Sequence, residues 1–212
     1  MSTLSSAALS QGTIKKISQT ILGISEPNPY NFGNPQNEKG DAAWTNANWL
    51  KSRFHFSFAE YNNPKNQNFG VLRVMNDDLV QPMRGFGTHG HRDAEICTYV
   101  INGSLTHQDS MGTEETISSG AIQFMTAGSG VRHSEHNRSP TPLRFIQMWL
   151  TPRTRGLTPN YGSSAGSPSK RMNQWHHMVS DVQNEQVETD VKVWMIVLNL
   201  FRLFRLLVLI SF

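Results

Sequence analysis

The sequence predicts an all-β domain over residues 50–152, either a barrel or a sandwich. Its apolar residues fall in runs of about five to eight, and glycine-containing turn signals separate these runs about every eight to twelve residues. No apolar repeat of helical period occurs in this region. With 212 residues, 37% of them hydrophobic and 17% charged, the chain is long and apolar enough to bury a core.

The first predicted strands lie between residues 53 and 74. The segment RFHFSFAEY (53–61) alternates apolar and polar residues. This pattern predicts a half-buried strand with Phe54, Phe56 and Phe58 on one face and a solvent-exposed His55 on the other. A turn, YNNPKNQNFG, and a second strand, VLRV, follow it.

A meander of strands is predicted from residue 94 onwards: EICTYVI, SLTHQD, EETIS, AIQFMTA, VRHSEH and LRFIQMWL. Turns are expected at Asn102-Gly103, Met111-Gly112 and Ser119-Gly120, because glycine tolerates the positive φ that tight hairpins need. Residues 1–40 are predicted to be an N-terminal arm, 41–152 the barrel, and 153–178 a linker rich in Gly, Ser, Pro and Arg.

Composition excludes several classes of function. The net charge is +3 without a run of basic residues, so no direct nucleic-acid binding is expected. A single cysteine, Cys97, allows no disulfide within the chain and suits a reducing compartment, so we expect a cytoplasmic protein. Cys97 is interpreted as a small buried hydrophobe. The N-terminus is not a secretory signal; a weak organelle-transit reading stays open beside that of a loose tail.

Two short motifs carry the predicted chemistry. His89-Gly90-His91 and His133-Ser134-Glu135 each place two potential ligands at positions i and i+2, which share one face of a strand. If the two strands are neighbours, four side chains point to one place. Three imidazoles and a carboxylate suit a divalent transition metal, and the lack of thiolates argues against a structural zinc site. Four ligands on an octahedral metal would leave two positions for substrate and dioxygen.

The segments FGTHGHRDAEICTYVINGSLTHQDSMG and GAIQFMTAGSGVRHSEHN resemble the pirin family of cupins, most closely its quercetin-dioxygenase-like bacterial members. The resemblance covers about residues 40–195. It implies a jelly-roll barrel that holds iron, or a similar metal, through His89, His91, His133 and Glu135. Family members usually have proline where this chain has Gly90, and a larger apolar residue where it has Ala94.

The resemblance implies a metal-dependent dioxygenase acting on a small aromatic, flavonol-type substrate with dioxygen. Fe(II) is the expected metal, with Mn, Ni, Cu, Co and Zn as alternatives, and Glu135 is the candidate acceptor of a substrate proton. The alternative function is a non-catalytic, iron-dependent transcription cofactor that binds a protein partner. A nuclear location goes with that alternative.

Several other residues receive a structural interpretation. Glu95 is expected to support the ligands or to pair with an arginine, and Arg92 and Asp93 are expected to orient the metal-binding imidazoles. His107 is interpreted as structural or exposed, with a role at the pocket mouth as the lesser alternative. The remaining assignments are an outward-facing His136, a surface segment at Trp175, His176 and His177, and barrel core for Phe86, Phe124, Met125 and Met148.

The last part of the chain departs from the family pattern. Residues 179–212 begin like the first strand of a second cupin barrel, VETDVKVWMIV, and then end in the apolar stretch LNLFRLFRLLVLISF. We interpret this as an incomplete second barrel with a prematurely ended or frame-shifted tail. An interfacial helix with Arg202 and Arg205 on one side is the alternative, and it would bring a membrane contact.

Overall fold

The computed structural model describes residues 19–35 and 49–166, together with the backbone of three later strands within 176–211. Apart from two short 3₁₀ helices, Gln19–Ile21 and Pro29–Phe32, all regular structure in these residues is β, which confirms the predicted fold class. The strands are β1 (Gly23–Ser25), β2 (Leu50–Phe54), β3 (Leu72–Val80), β4 (Arg84–His91), β5 (Glu95–Asn102), β6 (Ser104–Asp109), β7 (Glu114–Ser118), β8 (Ile122–Thr126), β9 (Val131–Asn137), β10 (Leu143–Leu150), β11 (Asn160–Ser164), β12 (His176–Val179), β13 (Lys192–Leu200) and β14 (Leu203–Ser211).

Two antiparallel sheets face each other and enclose a core. One has seven strands in the order β1-β2-β3-β10-β5-β8-β11, and the other has four in the order β4-β9-β6-β7. A cluster of buried side chains joins them, with Val100 and Phe145 from the first sheet packing with Leu105 and Ile117 from the second. Because alternate residues of a strand point to opposite faces, this core takes every second residue of each strand.

The outer face of the seven-stranded sheet is also apolar and buried. Cys97, Tyr99, Phe124 and Met148 belong to a second cluster on that face. Cys97 is fully buried, and burial raises the pKa of its thiol well above its usual range. The interpretation of Cys97 as a small hydrophobe is consistent with both observations.

The six strands predicted from residue 94 onwards are confirmed as β5 to β10. The three predicted turns contain Gly103, Gly112 and Gly120 with φ of 85°, 93° and 90°. At Gly103 a side chain would also meet the backbone of Pro142 and Leu143, because a Cβ there would lie 2.7 Å from the Pro142 carbonyl oxygen. Glycine is therefore required at this hairpin on two counts.

The predicted strand over 53–61 is wrong beyond Phe54, where β2 ends. The chain then turns, with Ala59 at a φ of 46° and the Ser57 hydroxyl bonded to the backbone of Asn63. The three phenylalanines consequently do not share a face, since Phe54 packs edge-on against Phe58 at 5.1 Å while Phe56 joins the outer cluster.

His55 is half-buried, not simply solvent-exposed as predicted. Its Nδ1 lies 2.9 Å from the Met75 carbonyl oxygen, and burial lowers the pKa of its ring.

Both segments flanking the predicted barrel contribute strands to its larger sheet. β1 comes from the predicted N-terminal arm and pairs with β2. β11 comes from the predicted linker and pairs with β8 from Asn160 opposite Thr126 to Ser164 opposite Ile122. The seven-stranded sheet thus extends beyond both ends of residues 41–152.

The later strands form a separate three-stranded sheet in the order β12-β13-β14. β13 and β14 pair antiparallel from Lys192 opposite Ser211 to Leu200 opposite Leu203. The alternative of an interfacial helix is therefore wrong, because both arms of the apolar stretch are extended. His176 and His177 lie in β12, and Trp175 lies outside the described residues. The part of the chain that the structure describes contains no helix with the length and apolar character needed to cross a membrane.

Candidate metal centre

The two histidine motifs lie on neighbouring strands, as the sequence predicts. β4 and β9 pair antiparallel, and His89 stands directly opposite His133. The register shifts between Phe86 and His89, which indicates a bulge in this glycine-rich part of β4. His91 follows His89 at i+2, so all three imidazoles lie on the face that lines the barrel interior.

The three imidazoles form a compact group, called here the histidine cluster: His89, His91 and His133. The Nε2 atoms of His89 and His133 are 3.1 Å apart. The ring of His91 lies 4.7 Å from the ring of His89 and 4.8 Å from that of His133. One nitrogen from each ring falls within 4.8 Å of the other two, a spacing at which a single metal ion can be held.

Glu135 lies two residues after His133 on the same strand, but its carboxylate has a different set of neighbours. It groups with His107 and His133, not with His89 and His91. The amide of Gln123 donates to Oε1 at 2.9 Å and that of Gln147 to Oε2 at 2.8 Å. These donors satisfy both oxygens of a carboxylate that is 3% exposed. The assignment of Glu135 as fourth ligand stays a prediction.

The electrostatic environment favours neutral imidazoles. Burial, together with the neighbouring histidines, lowers the pKa of His91 and of His133 to about 3 in each case. Both rings therefore carry a free lone pair at neutral pH, which is the form that binds a metal.

The ring nitrogens away from the cluster have defined partners. His89 donates from Nδ1 to the Gly87 carbonyl oxygen at 2.8 Å, which leaves its Nε2 as an acceptor directed at His133. Behind His133 lies the fully buried His107, whose Nδ1 is 3.4 Å from the Nδ1 of His133. If Nε2 of His133 is also unprotonated, the two Nε2 nitrogens repel unless a cation lies between them. The donor set therefore fits a divalent transition metal.

Arg92 and Asp93 do not orient these rings, so that expectation is wrong. Arg92 is exposed and its Nε lies 3.7 Å from an Asp93 oxygen. Asp93, at a φ of 50°, accepts from the backbone N–H of Gly156 at 2.7 Å and so fastens the loop before β11. Glu95 accepts a hydrogen bond from Thr126 at 2.7 Å. It lies on the outer face of the seven-stranded sheet, the face that carries the second apolar cluster.

A pocket of about 410 Å³ opens beside His89. Phe32, from the second 3₁₀ helix, and Phe86, from β4, line it together with His89. Their rings meet edge-on at 5.9 Å, and both contact the fully buried Trp49. The pocket therefore combines an aromatic wall with access to one potential metal ligand.

The four residues predicted to belong to the barrel core lie in three different parts of the structure. Phe124 and Met148 lie in the outer cluster, and Met125 lies in a small interior cluster with Ile96 and Val131. These positions confirm the core interpretation for all three. Phe86 is only partly buried and lines the pocket, so it can reach a ligand.

The sequence analysis did not predict four side chains that surround the site: Gln123, Gln147, Trp149 and Tyr161. Of the alternatives given for His107, an exposed position is wrong, because this side chain is fully buried. Trp149 packs edge-on against His91 at 4.7 Å and donates from Nε1 to Gln147 at 3.0 Å. The available signal was a polar residue at an inward position of an otherwise apolar strand, as at Gln123 in IQFMT. Such a position needs a buried hydrogen-bond partner, and a neighbouring motif carboxylate is an obvious one.

Comparison with known proteins identifies the family. The pirin family model matches residues 37–150. A pirin-like protein of Caulobacter vibrioides is 41% identical over 149 residues, which are 68% of this chain and 64% of that protein. The quercetin 2,3-dioxygenase of Escherichia coli K12 is 49% identical over 126 residues, which are 59% of this chain and 53% of that protein.

Comparison with solved structures also finds members of the pirin family. The bacterial pirin YhhW of Escherichia coli in complex with nickel(II) superposes with a TM-score of 0.66 at 38% identity and covers 72% of this chain and 66% of its own. This chain spans between about half and two thirds of the length of these relatives. The described barrel is accordingly a cupin barrel, whereas a second barrel in residues 179–212 stays a prediction. Because the family model covers more than half of it, this chain belongs to the pirin family.

Proposed function

We propose that this chain is a metal-dependent dioxygenase that acts on flavonol-type small molecules. The observation that carries the proposal is the convergence of His89, His91 and His133 inside the barrel, beside an aromatic pocket. Relatives named quercetin 2,3-dioxygenase support the substrate class. Fe(II) is the proposed metal; Mn, Ni, Cu, Co and Zn are alternatives, and nickel(II) is the metal named for the Escherichia coli pirin.

The histidine cluster would hold the metal, and Glu135 would complete the set. A bound divalent metal would supply the Lewis acidity and the redox chemistry that a reaction with dioxygen requires. Glu135 is a carboxylate that groups with His133, so it also has the chemistry to accept a proton from a substrate hydroxyl group. Its cradle of Gln123 and Gln147 fixes the position at which that proton would be held.

The pocket walls bind and orient the substrate in this proposal. Phe32 and Phe86 offer the faces and edges of aromatic rings, against which a flat polyphenol packs favourably. On another side of the cluster, Trp149 packs edge-on against Phe58 at 5.2 Å and against His91 at 4.7 Å.

Oxygen uptake tests the proposal. The chain loaded with Fe(II) is mixed with quercetin in an oxygen electrode, beside His133→Ala and the control His136→Ala. His136 neighbours the motif on the same strand but is half-buried on the opposite face. We expect uptake with the parent chain and the control and none with His133→Ala. Uptake no faster than that of His133→Ala would rule out this activity, and retained metal without turnover would favour the regulatory alternative.

Glu135→Gln separates the two roles proposed for Glu135. If the carboxylate is a ligand, the variant loses metal affinity. If it accepts the substrate proton without binding the metal, the variant keeps its metal and loses turnover.

A further inference from the structure

Behind His133, on the side away from the histidine cluster, lies a second buried pair, His107 and Asp109. Nε2 of His107 is 2.8 Å from Oδ2 of Asp109, and neither side chain has any exposed surface. The pairing of β6 with β9 brings them there, since Asp109 stands opposite His133 and His107 opposite Glu135. Neither His107 nor Asp109 lines the described pocket beside His89.

The hydrogen bonds of Asp109 leave its two oxygens with different partners. Oδ1 accepts from the backbone N–H groups of Met111 and Thr113 at 2.9 and 3.1 Å. Oδ2 faces only His107 among the described contacts. A carboxylate offers acceptors and no donor, so Nε2 of His107 must carry the hydrogen.

The hydrogen on Nε2 of His107 also determines the hydrogen bond between His107 and His133. In a neutral imidazole with its hydrogen on Nε2, Nδ1 is an acceptor. For a neutral His107, Nδ1 accepts from Nδ1–H of His133, 3.4 Å away. His133 then presents an unprotonated Nε2 to the cluster, where Nε2 of His89 lies at 3.1 Å.

Packing holds His107 in this orientation. The ring of Tyr161 stacks on it at 4.5 Å and 21°. The Tyr161 hydroxyl donates to Glu115 at 2.8 Å and lies 3.2 Å from Gln123. Because Tyr161 belongs to β11, the segment after the predicted barrel braces the back of the site.

We propose that Asp109 and His107 are positioning residues that fix the tautomer of His133, so that its Nε2 is directed into the histidine cluster as an unprotonated metal ligand. This inference rests on the proposed metal site. Asp109 sets the direction of the hydrogen bonds, His107 transmits it, and neither residue touches the metal or the substrate.

Asp109→Asn should reverse the direction of the hydrogen bonds that run from Asp109 through His107 to His133, called here the relay, without changing the shape of the side chain. The amide oxygen must stay with the N–H groups of Met111 and Thr113, so the amide N–H₂ faces His107. Nε2 of His107 then becomes the acceptor, its Nδ1–H donates to His133, and the hydrogen of His133 moves to Nε2. His107→Gln is the conservative counterpart, because its amide still donates to Asp109 and still accepts from His133.

Two measurements on the full chain test the proposal. Long-range ¹H–¹⁵N NMR of the metal-free protein reports which nitrogen of His133 carries the hydrogen. We expect Nδ1–H in the parent chain and in His107→Gln, and Nε2–H in Asp109→Asn. Competition with a chelator then gives the affinity for Ni(II), which should fall by about 10- to 100-fold in Asp109→Asn and stay within about threefold in His107→Gln.

The control is Asp77→Asn, which loses the same charge at the ion pair with Arg144, away from the cluster. It should keep the parental tautomer and affinity. The proposal is overturned if His133 of the parent chain carries its hydrogen on Nε2, or if Asp109→Asn changes neither the tautomer nor the affinity. The expected tautomers without Ni(II) binding would instead refute the metal site and leave the relay standing.

Discussion

Asp78 is a carboxyl group enclosed in the barrel, and its replacement by asparagine should change stability in a pH-dependent way. It is 3% exposed and stands opposite Ser52 on β2 and Phe145 on β10. Burial raises its pKa from 3.8 to about 7; the Ser52 hydroxyl opposes this rise, and the charges of Asp77 and Glu135 add to it.

The direction of the pH dependence follows from the pKa of Asp78 in the unfolded and in the folded protein. Because the folded-state pKa is the higher one, the stabilising contribution is complete below pH 3.8 and is lost as the pH rises through about 7. At about 1.36 kcal/mol per unit, the loss between pH 5 and pH 8 is about 3 kcal/mol. Asparagine keeps the shape and an acceptor for Ser52 but cannot ionise, so Asp78→Asn escapes the loss.

Urea unfolding of the metal-free protein, followed by tryptophan fluorescence, measures this effect. The difference in unfolding free energy, Asp78→Asn minus parent chain, should be about 3 kcal/mol more favourable at pH 8 than at pH 5. Other titrating groups, including His91 and His133, affect both proteins and cancel in the difference. An equal difference at the two pH values would refute the account, because it would mean that Asp78 ionises near its ordinary pKa.

Three further outcomes are expected. Leu105→Ala removes a fully buried side chain from the core between the sheets and should cost about 2–5 kcal/mol of unfolding free energy, measured by urea denaturation. Asn34→Ala removes the amide that bonds both backbone groups of Gly85 at 2.8 and 2.9 Å, and should cost about 2 kcal/mol in the same assay. Ni(II) at about 100 times its Kd should stabilise the parent chain by about 2.7 kcal/mol and His133→Ala not at all; equal stabilisation of both would place the metal elsewhere.

The sequence predicted the strands whose pattern is local. EICTYVI and LRFIQMWL became β5 and β10 because apolar residues on both faces suit strands in the middle of a sheet. The alternation of RFHFSFAEY is equally clear, yet the strand ends at Phe54, because hydrogen bonds from Asn66 and Ser57 stabilise a turn in its place. β11 has no such pattern, and its pairing with β8 and the contacts of Tyr161 stabilise it.

In the site, too, the features set by a local sequence pattern were predicted and those set by strand pairing were not. The i,i+2 spacing predicted that His89 and His91 share a face, and the local motif did the same for His133 and Glu135. The role of His107 could not be predicted, because it depends on the register between β6 and β9. A shift of one residue would turn His107 to the outside, and no local feature of SLTHQD fixes that register.

The metal content of the purified chain, determined beside His133→Ala prepared in the same way, tests whether the histidine cluster binds a metal ion. His133 is the member of the cluster with a neighbour in every direction: His89 across the strand pair, His91 beside it and His107 behind it. We expect about one equivalent of a divalent transition metal in the parent chain and loss of that metal in the variant. A folded parent chain that binds no metal, or a variant that keeps its full equivalent, would show that the histidine cluster is not the metal site.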